Sequence, residues 1–142
     1  MKARAPREAG YSRRTLVEKL GIKPGQRVVL LGAPADFART LGALPAGTGL
    51  ARRLSRGCAM IIAFSKNRKA LEGGFDRWRR ALHKDGALWV CWPKRASGVA
   101  TDLSENDVRN VGLAGGLVDV KVCAVDGIWS GLRFVYRLKD RT

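Results

Sequence analysis

The sequence predicts one α/β domain: a mostly parallel sheet with helices on both faces, ending in a C-terminal antiparallel hairpin. Three observations predict it. Apolar runs at 27–31, 58–64 and 87–92 are continuous enough for strands buried on both faces. Stretches with helical spacing separate them, so right-handed crossovers would join parallel neighbours. Two runs with period-two alternation, 118–125 and 129–138, flank Asp126-Gly127, a two-residue hairpin signal. With 142 residues, 46% of them apolar, and no repeat or linker, one domain is expected at 11–142. Residues 1–10 read as a basic flexible arm.

Each element has its own signals. Ser12 is placed to cap a short helix reaching Leu20, with Leu16, Val17 and Leu20 on one face and Gly21 closing it. Pro24-Gly25 turns the chain into the first strand, which Gly32-Ala33-Pro34 ends. A short helix is expected from Asp36 to Ala43, and a weak edge strand at 50–54. Residues 67–83 carry the strongest helical pattern: Leu71, Phe75, Trp78 and Leu82 share one face, although Gly73-Gly74 weakens it and Gly86 would end it. Pro93 stops the strand 87–92, and Ser104 with Asp107 opens a helix to Gly115 in capping-box fashion.

Composition excludes several functions. No apolar run reaches the roughly 20 residues of a membrane span, and the amino terminus lacks the apolar stretch of a secretion signal, so a cytoplasmic, bacterial-type protein is expected. Cys58, Cys91 and Cys123 sit among apolar residues and read as reduced core thiols; with a single histidine, no metal site is expected. The net charge of +15 attracts polyanions. Basic clusters at Arg13-Arg14, Arg52-Arg53-x-x-Arg56, Lys66-x-Arg68-Lys69 and Arg77-x-Arg79-Arg80 offer phosphate contacts, with no zinc finger, helix-turn-helix or aromatic ribonucleoprotein signature for reading bases. Arg13, Arg14, Arg52, Arg53 and Arg56 are the candidate polyanion contacts.

The loop 92–102 is the other candidate site. It leaves the carboxyl end of a central strand, where open α/β sheets place ligands. Trp92, Lys94, Arg95, Ser97, Thr101 and Asp102, joined by Trp129, supply an aromatic face, cations and hydroxyls for a small anion or nucleotide base. The competing reading is a rigid loop in which Thr101 or Asp102 makes local turns. Trp78 and Trp89 fit core positions, whereas Trp92 and Trp129 stand at element ends, freer to meet a ligand. No catalytic set stands out. His83 reads as solvated, Asp107 as a cap and Asp126 as a hairpin residue.

The order of elements resembles a trimmed class I methyltransferase, a Rossmann-like domain. Ile22-Lys-Pro-Gly-Gln-Arg-Val-Val-Leu-Leu-Gly32 looks like that fold's entrance, and 75–90 with 129–136 like its second half, while two strand units are compressed into 44–57. The resemblance implies a glycine-rich cofactor turn, of which only Gly32 is present. Leu30 stands where an acidic residue is usual, Pro34 removes an amide, Asp36 adds negative charge, and Arg52-Arg53 meet the place of the ribose carboxylate. No cofactor is therefore expected, neither S-adenosylmethionine nor a nicotinamide dinucleotide. Gly10-Tyr-Ser12, Leu20-Gly-Ile-Lys-Pro-Gly25, Leu31-Gly-Ala-Pro34, Trp92-Pro-Lys-Arg-Ala-Ser-Gly98, Thr101-Asp-Leu103, Val118-Asp-Val-Lys-Val-Cys-Ala-Val-Asp126 and Trp129-Ser-Gly-Leu132 resemble a family of small bacterial proteins, domain of unknown function 3052. That resemblance implies no activity. Three readings follow: a non-catalytic binding module whose basic surface takes nucleic acid or an acidic protein, a small enzyme using the 92–102 loop on an anionic substrate, and a subunit working only within an assembly.

Overall fold

The computed structural model describes residues 14–141. The arm 1–10, Ser12 and Arg13 lie outside them. Strands β1 (Arg27–Leu31), β2 (Gly49–Ala51), β3 (Cys58–Phe64), β4 (Leu82–Pro93), β5 (Leu117–Ala124) and β6 (Trp129–Tyr136) form one sheet in the order β2-β1-β3-β4-β6-β5. The four from β2 to β4 are parallel, and β6 and β5 pair antiparallel. One face is covered by α1 (Leu16–Leu20) and α2 (Phe37–Leu41), the other by α3 (Arg68–Ala81) and α4 (Glu105–Ala114). This is the mixed Rossmann-like architecture that the apolar runs predicted.

Several boundaries differ from the sequence reading, each for a local reason. Thr15, not Ser12, caps α1: its hydroxyl accepts from Glu18 N at 3.1 Å while Glu18 Oε1 accepts from Thr15 N at 2.9 Å. Helix α3 passes through Gly73-Gly74 and ends at Ala81, and β4 begins at Leu82 with no turn between. Leu82 is buried and pairs with Cys58, so the polar stretch His83–Asp85 is carried into strand geometry at the sheet's amino end. The weak edge strand shortens to β2.

The step from β2 to β3 is the unusual one. A parallel crossover usually needs about a dozen residues or more, most often a helix. Here 52–57 do it as a strap. Leu54 packs inward on the layer holding Val29 and Ala51, and Arg52, Arg53 and Arg56 face out.

Candidate functional site

In a sheet of this order the chain leaves β1 for β2 on one side and crosses to β3 on the other, so a topological switch point lies between β1 and β3 at their carboxyl ends. That crevice is filled. Gly32 follows β1 with φ +65°, and a Cβ there would stand 3.0 Å from the Phe64 carbonyl oxygen. Asp36 precedes α2 without a side-chain cap bond. Phe37 meets Phe64 edge-on at 4.9 Å between ring centroids, and Phe64 meets Trp129 at 5.0 Å. The three rings are 1%, 8% and 6% exposed. Nothing in the local sequence marks this cluster, because its members come from α2, β3 and β6.

The tryptophans of the second candidate site are thus corrected. Trp92 is only 5% exposed, and it belongs to the apolar layer on the opposite face from Trp129. Neither presents a ring to solvent. The antiparallel pairing of Pro93 with Trp129 pulls both ends into the sheet.

The loop itself is held by its own polar groups. Lys94 Nζ donates to Asp126 O at 2.6 Å, Ser97 Oγ donates to Lys94 O at 2.6 Å, and Thr101 Oγ1 accepts from Leu103 N at 3.1 Å. Asp102 Oδ1 accepts from Arg68 N at 2.8 Å and so caps α3 from a distant loop. A cleft of about 350 Å³ brings Arg95, Thr101 and Asp102 together, without Trp92, Lys94, Ser97 or Trp129 on its wall.

Two of the basic clusters meet instead between the strap and α3, through Arg56, Arg77 and Arg80, while Arg52 and Arg53 line no cleft there. A cleft of about 400 Å³ between the strap and α3 is lined by Leu54, Ser55, Arg56, Arg77, Arg80 and Ala81. Ser55 and Arg56 also line an adjoining cleft of about 500 Å³ that reaches Arg27 at the start of β1. Among the described residues, the side chains of Arg27, Arg52, Arg53, Arg56 and Arg77 form no hydrogen bond or ion pair. The acids of α3 are paired: Glu72 with Arg68, and Asp76 with Arg79 at 2.7 Å and with Arg80 of the cleft wall at 2.9 Å. Arg79's hydrogen bond holds the Asp76 carboxyl below its usual range, so this acid is satisfied within its own helix. Arg14 stands apart at the start of α1, donating to Glu18 O. Arg27, and the meeting of Arg56 with Arg77 and Arg80, could not be read from the sequence clusters.

The remaining chemistry is sparse. Cys58 and Cys91 are buried as expected, but Cys123 is half-buried on the edge strand β5. Burial pushes the Cys91 thiol well above its ordinary value and raises Cys123 as well. His83 is exposed. Among the described residues no three His, Cys, Asp or Glu side chains gather as a metal site, and no helix is long and apolar enough to cross a membrane.

No family model matches the sequence, and no curated protein matches it. Solved structures do match the fold. An S-adenosylmethionine-dependent methyltransferase from Aquifex aeolicus superposes with TM-score 0.62 at 12% identity, over 84% of this chain and 86% of that one. Magnesium protoporphyrin IX methyltransferase from Synechocystis gives 0.58 at 13%, over 86% and 78%. The ribosomal protein L11 methylase of Lactobacillus delbrueckii gives 0.57 at 11%, over 86% and 75%. In fold, this chain is a small class I methyltransferase-like Rossmann domain.

Proposed function

We propose that the chain is a non-catalytic binding module built on a methyltransferase-like sheet, and that its basic groove engages a polyanion. One observation carries this reading: five arginines on and around the strap have no partner among the described residues, whereas Phe37, Phe64 and Trp129 pack into the crevice that would serve a cofactor. We read an adenosyl cofactor as not fitting that crevice, because the edge-on rings of Phe37, Phe64 and Trp129, all buried, occupy the ground where its base would stand. The resemblance to domain of unknown function 3052 belongs to this proposal too, resting on the stretches quoted above. A cytoplasmic location accords with the reduced thiols.

The test is a salt series. Protein freed of nucleic acid by nuclease and high salt is titrated with labelled DNA, RNA, polyglutamate and heparin from about 50 mM salt upward, where non-specific contacts begin strongest. We expect log affinity to fall linearly with log salt, by roughly 0.7–0.9 per phosphate contact for a nucleic acid. Failure to bind any polyanion at about 50 mM salt would leave the charge a solvated surface and end the proposal.

A further inference from the structure

Resting on that reading, we infer that the groove takes the backbone of a nucleic-acid duplex, DNA or RNA, in preference to a single strand. Two features select it. The first is the layout of charge. On α3, Lys69, Arg77 and Arg80 are all exposed, Glu72 pairs with Arg68, and Asp76, one turn before Arg80 on the same side, is neutralised by Arg79 and Arg80. From Lys69 to Arg80 these cations span about 16 Å at the helical rise. Arg56 on the strap faces Arg77 and Arg80 across the cleft and shares the second cleft with Arg27. A row of cations this long fits a rigid, dense row of anions, and a duplex carries one negative charge per about 1.7 Å of axis.

The second feature is what the surface lacks. Proteins that prefer single strands stack unpaired bases on exposed aromatic rings. Among the described residues every phenylalanine and tryptophan is buried. Tyr136 is half-buried and its hydroxyl donates to Arg79 O at 2.6 Å. With no ring among the described residues to receive a splayed base and no element among them shaped to enter a groove, only phosphates are contacted, so sequence preference is absent.

The experiment is fluorescence anisotropy with a labelled duplex of DNA, the matching RNA duplex, each strand alone, and polyglutamate, over a range of salt. Duplexes of both sugars should bind about tenfold tighter than either strand, since fewer phosphates of a flexible strand reach the fixed cations. Arg56→Gln with Arg77→Gln should lower the duplex salt slope by about 1.8, two contacts' worth. Arg39→Gln with Lys139→Gln removes the same charge from exposed positions elsewhere and should leave the slope within half a contact. Matching thermal midpoints show that both variants are folded.

Single strands bound as well as duplex would overturn the inference and leave the polyanion proposal standing. Equal slope losses in the two variants would overturn it by placing the contacts outside the groove. Binding of polyglutamate without nucleic acid would overturn it in favour of an acidic protein. No binding to any polyanion would overturn both.

Discussion

Two neighbouring glycines have opposite meanings. Gly73 faces open space, and no atom lies within 4 Å of the Cβ it lacks. Alanine there should stabilise the protein by about 0.5–1 kcal/mol, by shrinking the entropy of the unfolded chain and favouring helix. Gly74 instead lies under the Trp78 indole, and a Cβ would fall 2.4 Å from Trp78 Cζ2. Gly74→Ala should therefore cost about 1–3 kcal/mol, the usual range for overpacking a core. Urea unfolding of the two variants checks both signs, and a stabilised Gly74→Ala would show that Trp78 is free to move. The cysteines are ranked on the same principle. Cys123, half-exposed, should label first in the native protein. Cys91, enclosed on every side with its thiol pushed up by burial, should label last. Rapid native labelling of Cys91 would contradict that packing.

Helix α4 depends on its first turn. Ser104 Oγ accepts from Asp107 N at 3.3 Å and donates to Asp107 Oδ2 at 2.9 Å, and Asp107 Oδ1 accepts from Arg68 at 2.8 Å. Ser104→Ala should cost about 1 kcal/mol, as N-cap losses do. The bonds from Ser104 hold the Asp107 carboxyl below its usual value. A group whose folded pKa is depressed adds stability above its unfolded pKa, and that stability is lost as pH falls through the folded value. Stability should decline on acidification below the ordinary carboxylate range, and Asp107→Asn should flatten part of that decline in a pH series of thermal melts. This box was legible in the sequence because cap and partner are three residues apart. Strands β1, β3 and the end of β4 were legible because they are buried on both faces and so read as unbroken apolar runs, and β5 and β6 because they alternate. Strand β2 and the start of β4 were not. One has three residues, and the other enters the sheet through exposed His83, Lys84 and Asp85, which fall in a register shift between the pairings of Leu82 and Ala87 with β3. The site was legible by half. Arginine clusters could be counted, but their convergence across the strap could not, and Trp92 and Trp129 looked available because their burial depends on strands far apart in sequence.

At the scale of the whole molecule, the filled crevice changes what sets stability. A protein that binds a cofactor gains RT ln(1 + [L]/Kd), so its melting point follows the supply of ligand. Phe37, Phe64 and Trp129 contribute their contacts at every concentration, because they belong to the chain. Truncating Phe64 to alanine should cost about 3–5 kcal/mol, the ordinary loss for a large aromatic core side chain. S-adenosylmethionine or its demethylated product, added at millimolar concentration, should leave the melting temperature of the native protein unchanged. An upward shift that grew with ligand would show that the rings can part. Otherwise the domain holds its shape whatever the cell's cofactor level, and its fraction folded does not follow the supply of that cofactor.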